Sequence, residues 1–318
     1  MYSKKLLAFC AATAMSVCGS AAMAADVVIG VPNWSSVRAT ANVLKVALES
    51  KLSISVELKD ASNKAVFDGM HAGTMHVHPE AWMPNFAHLR REFVISKKSV
   101  KMSPSGATGE QGMCVTKGTA ERTGIKGLRE LAHPTMAQKF DTDGDGKGDV
   151  WIGANGWNST PIEQVRARSY GYDRTMNLRI MEETEGIKEV DAAVKAKKDI
   201  VFFCYSPHYI FAKYDLVRLE EPAYDATKWI IVPPNATPGW LERSSAAVAW
   251  DTAKLYVSYA TALEKSQPKA AAALAKVRLS TDTLTAMTFA LEVEKQDPAE
   301  FAAKWVEQNQ AIVDGWFQ

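Results

Sequence analysis

The chain has 318 residues, 37 of them lysine or arginine against 36 aspartate or glutamate, a formal charge of +1, and 47% of its residues are hydrophobic. So even a balance leaves no basic footprint for nucleic acid and no polybasic patch for an anionic membrane. A chain of this length holds a large core and is expected to divide into two lobes, and beyond its first residues no apolar run is long enough to span a membrane.

Residues 1–24, "MYSKKLLAFCAATAMSVCGSAAMA", read as a cleaved signal peptide. Lys4 and Lys5 begin it, an apolar run follows, and Ala22-Met23-Ala24 makes an A-x-A cleavage site. Cys10 and Cys18 follow Phe9 and Val17, where a lipoprotein signal needs a small residue. Export to an oxidising compartment, a bacterial periplasm, is expected. Two cysteines then remain, Cys114 and Cys204. In an exported protein a single disulfide is the natural reading of such a pair, and two buried thiols are the alternative.

"VVIGV" (27–31) is a continuous apolar run, as in a buried strand. The loop "PNWSS" carries Trp34, and a helix is expected around 38–50, with Val43, Leu44, Ala47 and Leu48 on one face. "SISVEL" (53–58) alternates like a strand, and a helix over "KAVFDGMHAG" leads to a short strand "MHV". The next stretch, "HVHPEAWMPNF", sets Trp82 two residues before a proline. His76, His78 and Glu80 alternate on it and could begin a zinc site, but no third ligand group follows at suitable spacing. Glu110, in "GEQG", is either a hinge acid or a carboxylate that enters a cleft to meet a cation or a hydroxyl.

The same grammar restarts at "GMCVTKG" (112–118), with a helical pattern at "KGLRELA" (126–132) and strands at "VWIG", "LRIM", "IVFFCY" and "WIIV" (229–232). The tail from about residue 251 reads as helical, and Asp297, Pro298 and Glu300 have the spacing of a helix start. This alternation predicts an α/β fold. No linker separates two halves, so the chain is expected to cross between lobes more than once. The first lobe is then 25–111 with 211–318, and the second is 112–210.

"DTDGDGKGD" (141–149) has calcium-loop spacing: Asp141, Asp143, Asp145, a position-seven carbonyl at Lys147, Asp149 at position nine, and Gly146 at the turn. Position twelve is Ile152 instead of the bidentate glutamate. A structural calcium and a solvated Asp/Gly loop both fit this pattern.

Trp34, Trp82, Trp157 and Tyr205 all fall at or just past expected strand ends, the edge where ligands gather on open α/β sheets. Each alone reads as packing. Four together form a wall of π-faces suited to a cation whose charge is spread over methyl groups. In "GWNSTPIEQ", Asn158, Ser159 and Thr160 can cap a helix with Pro161 in its first turn, and the free N–H groups there suit a carboxylate. The two features together describe a zwitterion.

The stretches "HPEAWMPN", "FDTDGDGKGDVWIGANGW", "FFCYSPHYIF" and "DLVRLEEP" make the mature chain resemble the glycine betaine-type substrate-binding proteins of ABC transporters. The resemblance implies a two-lobed, clamshell periplasmic binding protein of the type II kind with a discontinuous first lobe, and no catalysis. It implies Trp82, Trp157 and Tyr205 as cage walls, Trp34 as a fourth, and the backbone of Asn158 and Ser159 as the carboxylate site. It implies a small methylated amine as ligand (glycine betaine, trimethylamine N-oxide, choline or carnitine), a membrane permease as partner, a monomer, and no required cofactor. Two positions depart from the family: Phe86 replaces a histidine found in some members, and Tyr205 stands where tryptophan is common. Rival readings are a metal-dependent hydrolase on His76, His78 and the Asp-rich loop, or a calcium-stabilised interaction protein. Neither "GxSxG" nor "HExxH" occurs to support an enzyme.

Overall fold

The computed structural model describes residues 25–104, 106–234 and 238–318, so the expected signal peptide lies outside the described residues. The strands are β1 (Val27–Val31), β2 (Val56–Asp60), β3 (Val77–Met83), β4 (Val100–Met102) and β5 (Ala107–Thr116), then β6 (Gly148–Trp151), β7 (Met176–Arg179), β8 (Val201–Ser206), β9 (Leu216–Arg218) and β10 (Ala253–Ala260). Their order is β2-β1-β3-β10-β5-β8-β6-β7, with β4 added on β10 and β9 on β5. β1 runs parallel to β2 and β3, and β6 runs parallel to β7 and β8. β10 is antiparallel to β3 and β5, and β5 is antiparallel to β8.

β5 is where the two halves join. Its first residues, Ala107 to Gly109, pair with β10, and Glu110 to Val115 pair with β8. Gly109 is required at this crossing: a Cβ there would lie 2.7 Å from the Ser206 carbonyl and 2.9 Å from the Trp82 ring. Cys114 of β5 and Cys204 of β8 form a disulfide across these neighbouring strands, with Cα atoms 5.7 Å apart.

The return crossing lies later than the sequence suggests. The described residues of 211–250, expected in the first lobe, lie against the other half of the sheet, where β9 pairs with β5 at Cys114 to Thr116. A buried ion network holds the rest of the segment. Arg166, fully buried in the helix Ser159–Tyr170, pairs with Glu163 at 3.0 Å and Glu221 at 2.5 Å and donates to the Val248 carbonyl. Trp250 Nε1 donates to Glu163 at 2.5 Å. Removing one partner of such a network strands a buried charge, which costs roughly 3–5 kcal/mol. These contacts attach the described residues of 211–250 to the half of the sheet that holds β6, β7 and β8.

Two further elements differ from expectation. "WIIV" makes only a single bridge, Ile230 to Ser245. The tail opens with β10 before its helices begin; "AKLYVSYA" alternates buried and less buried positions over Ala253–Val257 and is buried throughout its second half. Beyond it, Asp297 caps the helix Pro298–Gln308 by accepting from Ala299 and Glu300 N–H at 2.9 and 3.0 Å. That helix and Thr281–Glu292 cover the helix Ser35–Leu52, which buries Val43, Leu44, Ala47 and Leu48. β1 is buried almost throughout, the pattern of a parallel strand covered on both faces.

Candidate functional site

Four aromatic side chains, two from each lobe, meet around one cavity. Trp34 occupies the N-cap position of the helix Ser35–Leu52, and Trp82 lies within β3, paired with Leu255. Trp82 was expected just past its strand, but β3 runs on to Met83. From the second lobe, Tyr205 lies in β8 opposite Gln111, and Trp157 ends the loop after β6. Gly153 lets that loop turn, with φ +125° and Thr160 Oγ1 only 2.5 Å from where a Cβ would stand. All four rings are more than nine-tenths buried. The cavity they line is narrow with the lobes shut, leaving about 40 Å³ open to a water-sized sphere.

Tyr205 is the centre of the arrangement. Its ring stands edge-to-face with Trp82 (5.5 Å between centroids, 88°) and with Trp157 (5.6 Å, 86°). Phe203, two residues earlier on the same strand, shares its face at 6.2 Å. Edge-to-face packing turns adjacent walls at right angles, which is how flat rings enclose a compact head.

Trp34, Trp157 and Tyr205 each have a polar tether. Trp34 Nε1 donates to Glu80 at 3.1 Å, and the same carboxylate accepts from Ser36 Oγ at 2.7 Å and Thr40 Oγ1 at 2.6 Å. Burial pushes the Glu80 pKa up, against the pull of those donors. Trp157 Nε1 donates to Asn33 Oδ1 at 3.1 Å, and Tyr205 Oη donates to Glu183. Burial and then the Glu183 charge push the Tyr205 phenol far above its usual range, so its O–H remains a donor.

The polar end of the cavity is the start of the helix Ser159–Tyr170. Asn158 takes the N-cap position without a side-chain cap bond, and its amide nitrogen is buried with no protein partner. First-turn N–H groups have no intrahelical acceptor, so Ser159 adds a donor beside it. Thr160, the third expected cap, instead turns its hydroxyl to the Ala154 carbonyl at 2.7 Å.

The lining also includes residues absent from the sequence reading. Asn85 and Gln111 form a reciprocal amide pair, at 2.6 and 3.0 Å. Asn63 donates to the Gly156 carbonyl at 3.0 Å and meets His78 Nε2 at 3.0 Å. Phe203 had a usable signal, since residues two apart on a strand share a face. Phe86 lines the cavity where the family's histidine was expected, and packs T-shaped on His78 at 5.3 Å.

Glu110 is not among the lining residues. Gln111 points into the cavity, and the pleat of β5 sends its neighbour Glu110 the other way, where it is exposed and paired with Arg218. His76 and His78 do not converge on a metal. His76 Nδ1 accepts from Val28 N–H at 2.8 Å, and burial pushes the fully buried His78 down to about 3.

In the Asp-rich loop, one oxygen each of Asp141, Asp143 and Asp149 lies within 4.8 Å of the others, the one such cluster among the described residues. Asp141 accepts from Gly144 and Gly146 N–H at 2.6 and 2.9 Å, Asp143 accepts from Asp145 N–H at 3.2 Å, and Thr142 donates to Asp149. Asp145 turns to Asn177 Nδ2 at 3.0 Å and to the Lys147 N–H at 2.8 Å, so the loop converges three carboxylates and not the full expected set.

The lobes are shut on each other. Asn33 Nδ2 donates to Glu182 at 2.5 Å, and Ser35 N–H donates to Glu183 at 2.9 Å. The Asn63–Gly156 bond also crosses the cleft.

A family model described as the substrate binding domain of ABC-type glycine betaine transport systems matches residues 25–308. This chain belongs to that family. The family's description is of the substrate-binding part of a transport system. The glycine betaine-binding periplasmic protein OusX of Dickeya dadantii (strain 3937) is 28% identical over 222 residues, 67% of this chain but only 64% of the relative's length. The trimethylamine N-oxide-binding protein of Pelagibacter ubique (strain HTCC1062) is 24% identical over 323 residues, 97% of this chain and 98% of its own. Lactococcal OpuAC, solved closed with glycine betaine, superposes with a TM-score of 0.70 at 21% identity, over 92% of this chain and 99% of that one. The family's fold is thus the two-lobed one seen here. No helix among the described residues is long and apolar enough to cross a membrane.

Proposed function

We propose that this protein captures a small methylated amine that also carries an oxygen acceptor, and delivers it in the periplasm to the permease of an ABC transporter. The observation that carries the reading is one small cavity with four aromatic walls and, at one end, the unpartnered Asn158 amide beside a helix start. A trimethylammonium head fits the walls, where each desolvated cation–π contact is worth up to about 2 kcal/mol. A carboxylate or N-oxide oxygen fits the Asn158 and Ser159 donors, where charge-assisted bonds are worth roughly 1.5–3 kcal/mol. The names of relatives that bind glycine betaine and trimethylamine N-oxide support the same class. Phe86 offers no donor to the anionic end, which places glycine betaine only modestly ahead of trimethylamine N-oxide and choline.

Isothermal titration against glycine betaine, trimethylamine N-oxide, choline and carnitine tests this. Saturable binding near micromolar strength by at least one ligand with both head and oxygen is expected. No heat from any of the four, with folded protein, contradicts it.

A further inference from the structure

Glu183 sits where the cage and the cleft meet, and it is only 7% exposed. It is the first residue of the helix Glu183–Ala196 in the second lobe. Its Oε1 accepts the Tyr205 hydroxyl and lies 3.2 Å from His208 Nε2. Ile210 N–H donates to His208 Nδ1 at 3.0 Å, which leaves Nε2 as the N–H facing the carboxylate. Its Oε2 accepts from Ser35 N–H, in the other lobe, at 2.9 Å.

Ser35 opens an 18-residue helix that has no acid in its first turn and no side-chain cap from Trp34. The positive end of that helix is therefore met by a carboxylate from across the cleft. Trp34, the residue before Ser35, is itself a wall of the cavity. One carboxylate thus touches a wall ring on one oxygen and the neighbour of a second wall on the other.

We propose that Glu183 is a positioning residue that couples the cation-holding face of Tyr205 to closure of the lobes. A phenol that donates to a carboxylate shifts electron density toward its ring, which makes the π-face more attractive to a cation. That compensates for a tyrosine at a position where an indole gives the stronger face. Closure brings Ser35 N–H and the helix dipole onto Oε2, and opening returns that oxygen to water. A cation on Tyr205 and a shut cleft therefore favour each other through the same side chain.

The inference rests on the methylated-amine reading and is tested with Glu183→Gln, Tyr205→Phe and the double variant. The probes are glycine betaine and its uncharged-head isostere 3,3-dimethylbutanoate, measured by titration, with scattering to follow closure. Each single variant is expected to weaken glycine betaine about tenfold. Each also narrows the preference for glycine betaine over the isostere, and the double variant is no weaker than either single one. Wild-type preference in both single variants, or losses that multiply in the double, overturns the proposal. Tyr205→Phe keeps the ring and its packing, so it decides the matter alone where Glu183→Gln does not fold. A wild type that binds no methylated amine takes down the ligand reading and this one together, whereas good wild-type binding with unmoved variants takes down this one only.

Discussion

The two halves of the cavity are built differently. Trp34 and Trp82 belong to the first lobe, and Trp34 is tethered inside it, to Glu80. Glu80 also takes Ser36 and Thr40, so this half is complete whether or not the cleft is shut. In the second lobe, the tether of Trp157 is made across the cleft. Trp157 holds Asn33 of the first lobe, and Tyr205 holds Glu183, whose other oxygen holds Ser35. One half is a standing platform and the other is finished by the act of closing, which is the economy a binding protein needs to report occupancy.

The largest effect expected from breaking one half is on the second lobe. The Cys114–Cys204 bridge closes a loop of 90 residues and ends beside Tyr205. In the chain-entropy model its loss costs roughly 4–5 kcal/mol. Reduction is expected to lower the melting point and to weaken ligand binding through the Tyr205 wall. An unchanged melting curve in reductant speaks against that.

Acid is expected to attack the platform instead. His78 packs beneath Trp34 and Phe86, and its pKa falls from 6.5 to about 3 on folding. Between those values the unfolded chain binds a proton that the folded chain refuses. Stability is therefore complete above about pH 6.5 and is lost as pH falls toward 3, at about 1.4 kcal/mol per unit. Melting points at pH 7.5 and 4.5 check this, with His78→Gln expected to show a smaller difference than the wild type.

Single rings come next. Trp82→Ala and Trp157→Ala are each expected to weaken glycine betaine by about 2 kcal/mol, roughly 30-fold, with unchanged circular dichroism. Only Trp157→Ala also reduces the contraction seen by small-angle scattering at saturating ligand, because it removes a cross-cleft bond as well as a wall. Equal contraction in both variants erases the distinction between the halves. Smallest of all is Glu110→Gln, which is expected to leave affinity for choline and glycine betaine unchanged, since the side chain faces away from the cavity.

What the sequence shows plainly is the ring set. Aromatics at strand ends, and a capped Pro-containing helix start beside one of them, are local patterns, and their residues meet at one cavity. The Glu110–Gln111 choice is not legible, because it turns on the parity of a strand whose pairing partner changes at that point. The place of residues 211–250 is not legible either. Its described residues have little regular structure, and what assigns them is Arg166 paired with Glu221, a partner far away in the chain. β10 was hidden because its alternation lies next to a long helical tail, and nothing local announces a central strand. Glu183 reads as an ordinary acid at a helix start, and only the tertiary fold brings Ser35 and Tyr205 to it.

The central claim is that walls from both lobes hold a positive, methylated head. Its most direct test is to titrate wild-type protein with glycine betaine and with 3,3-dimethylbutanoate, which share shape and carboxylate and differ in the charge of the head. Cation–π walls predict that glycine betaine binds at least about tenfold tighter, since even one such contact is worth more than 1 kcal/mol when desolvated. Equal affinity for the two contradicts the account, and leaves a cavity that selects for shape alone.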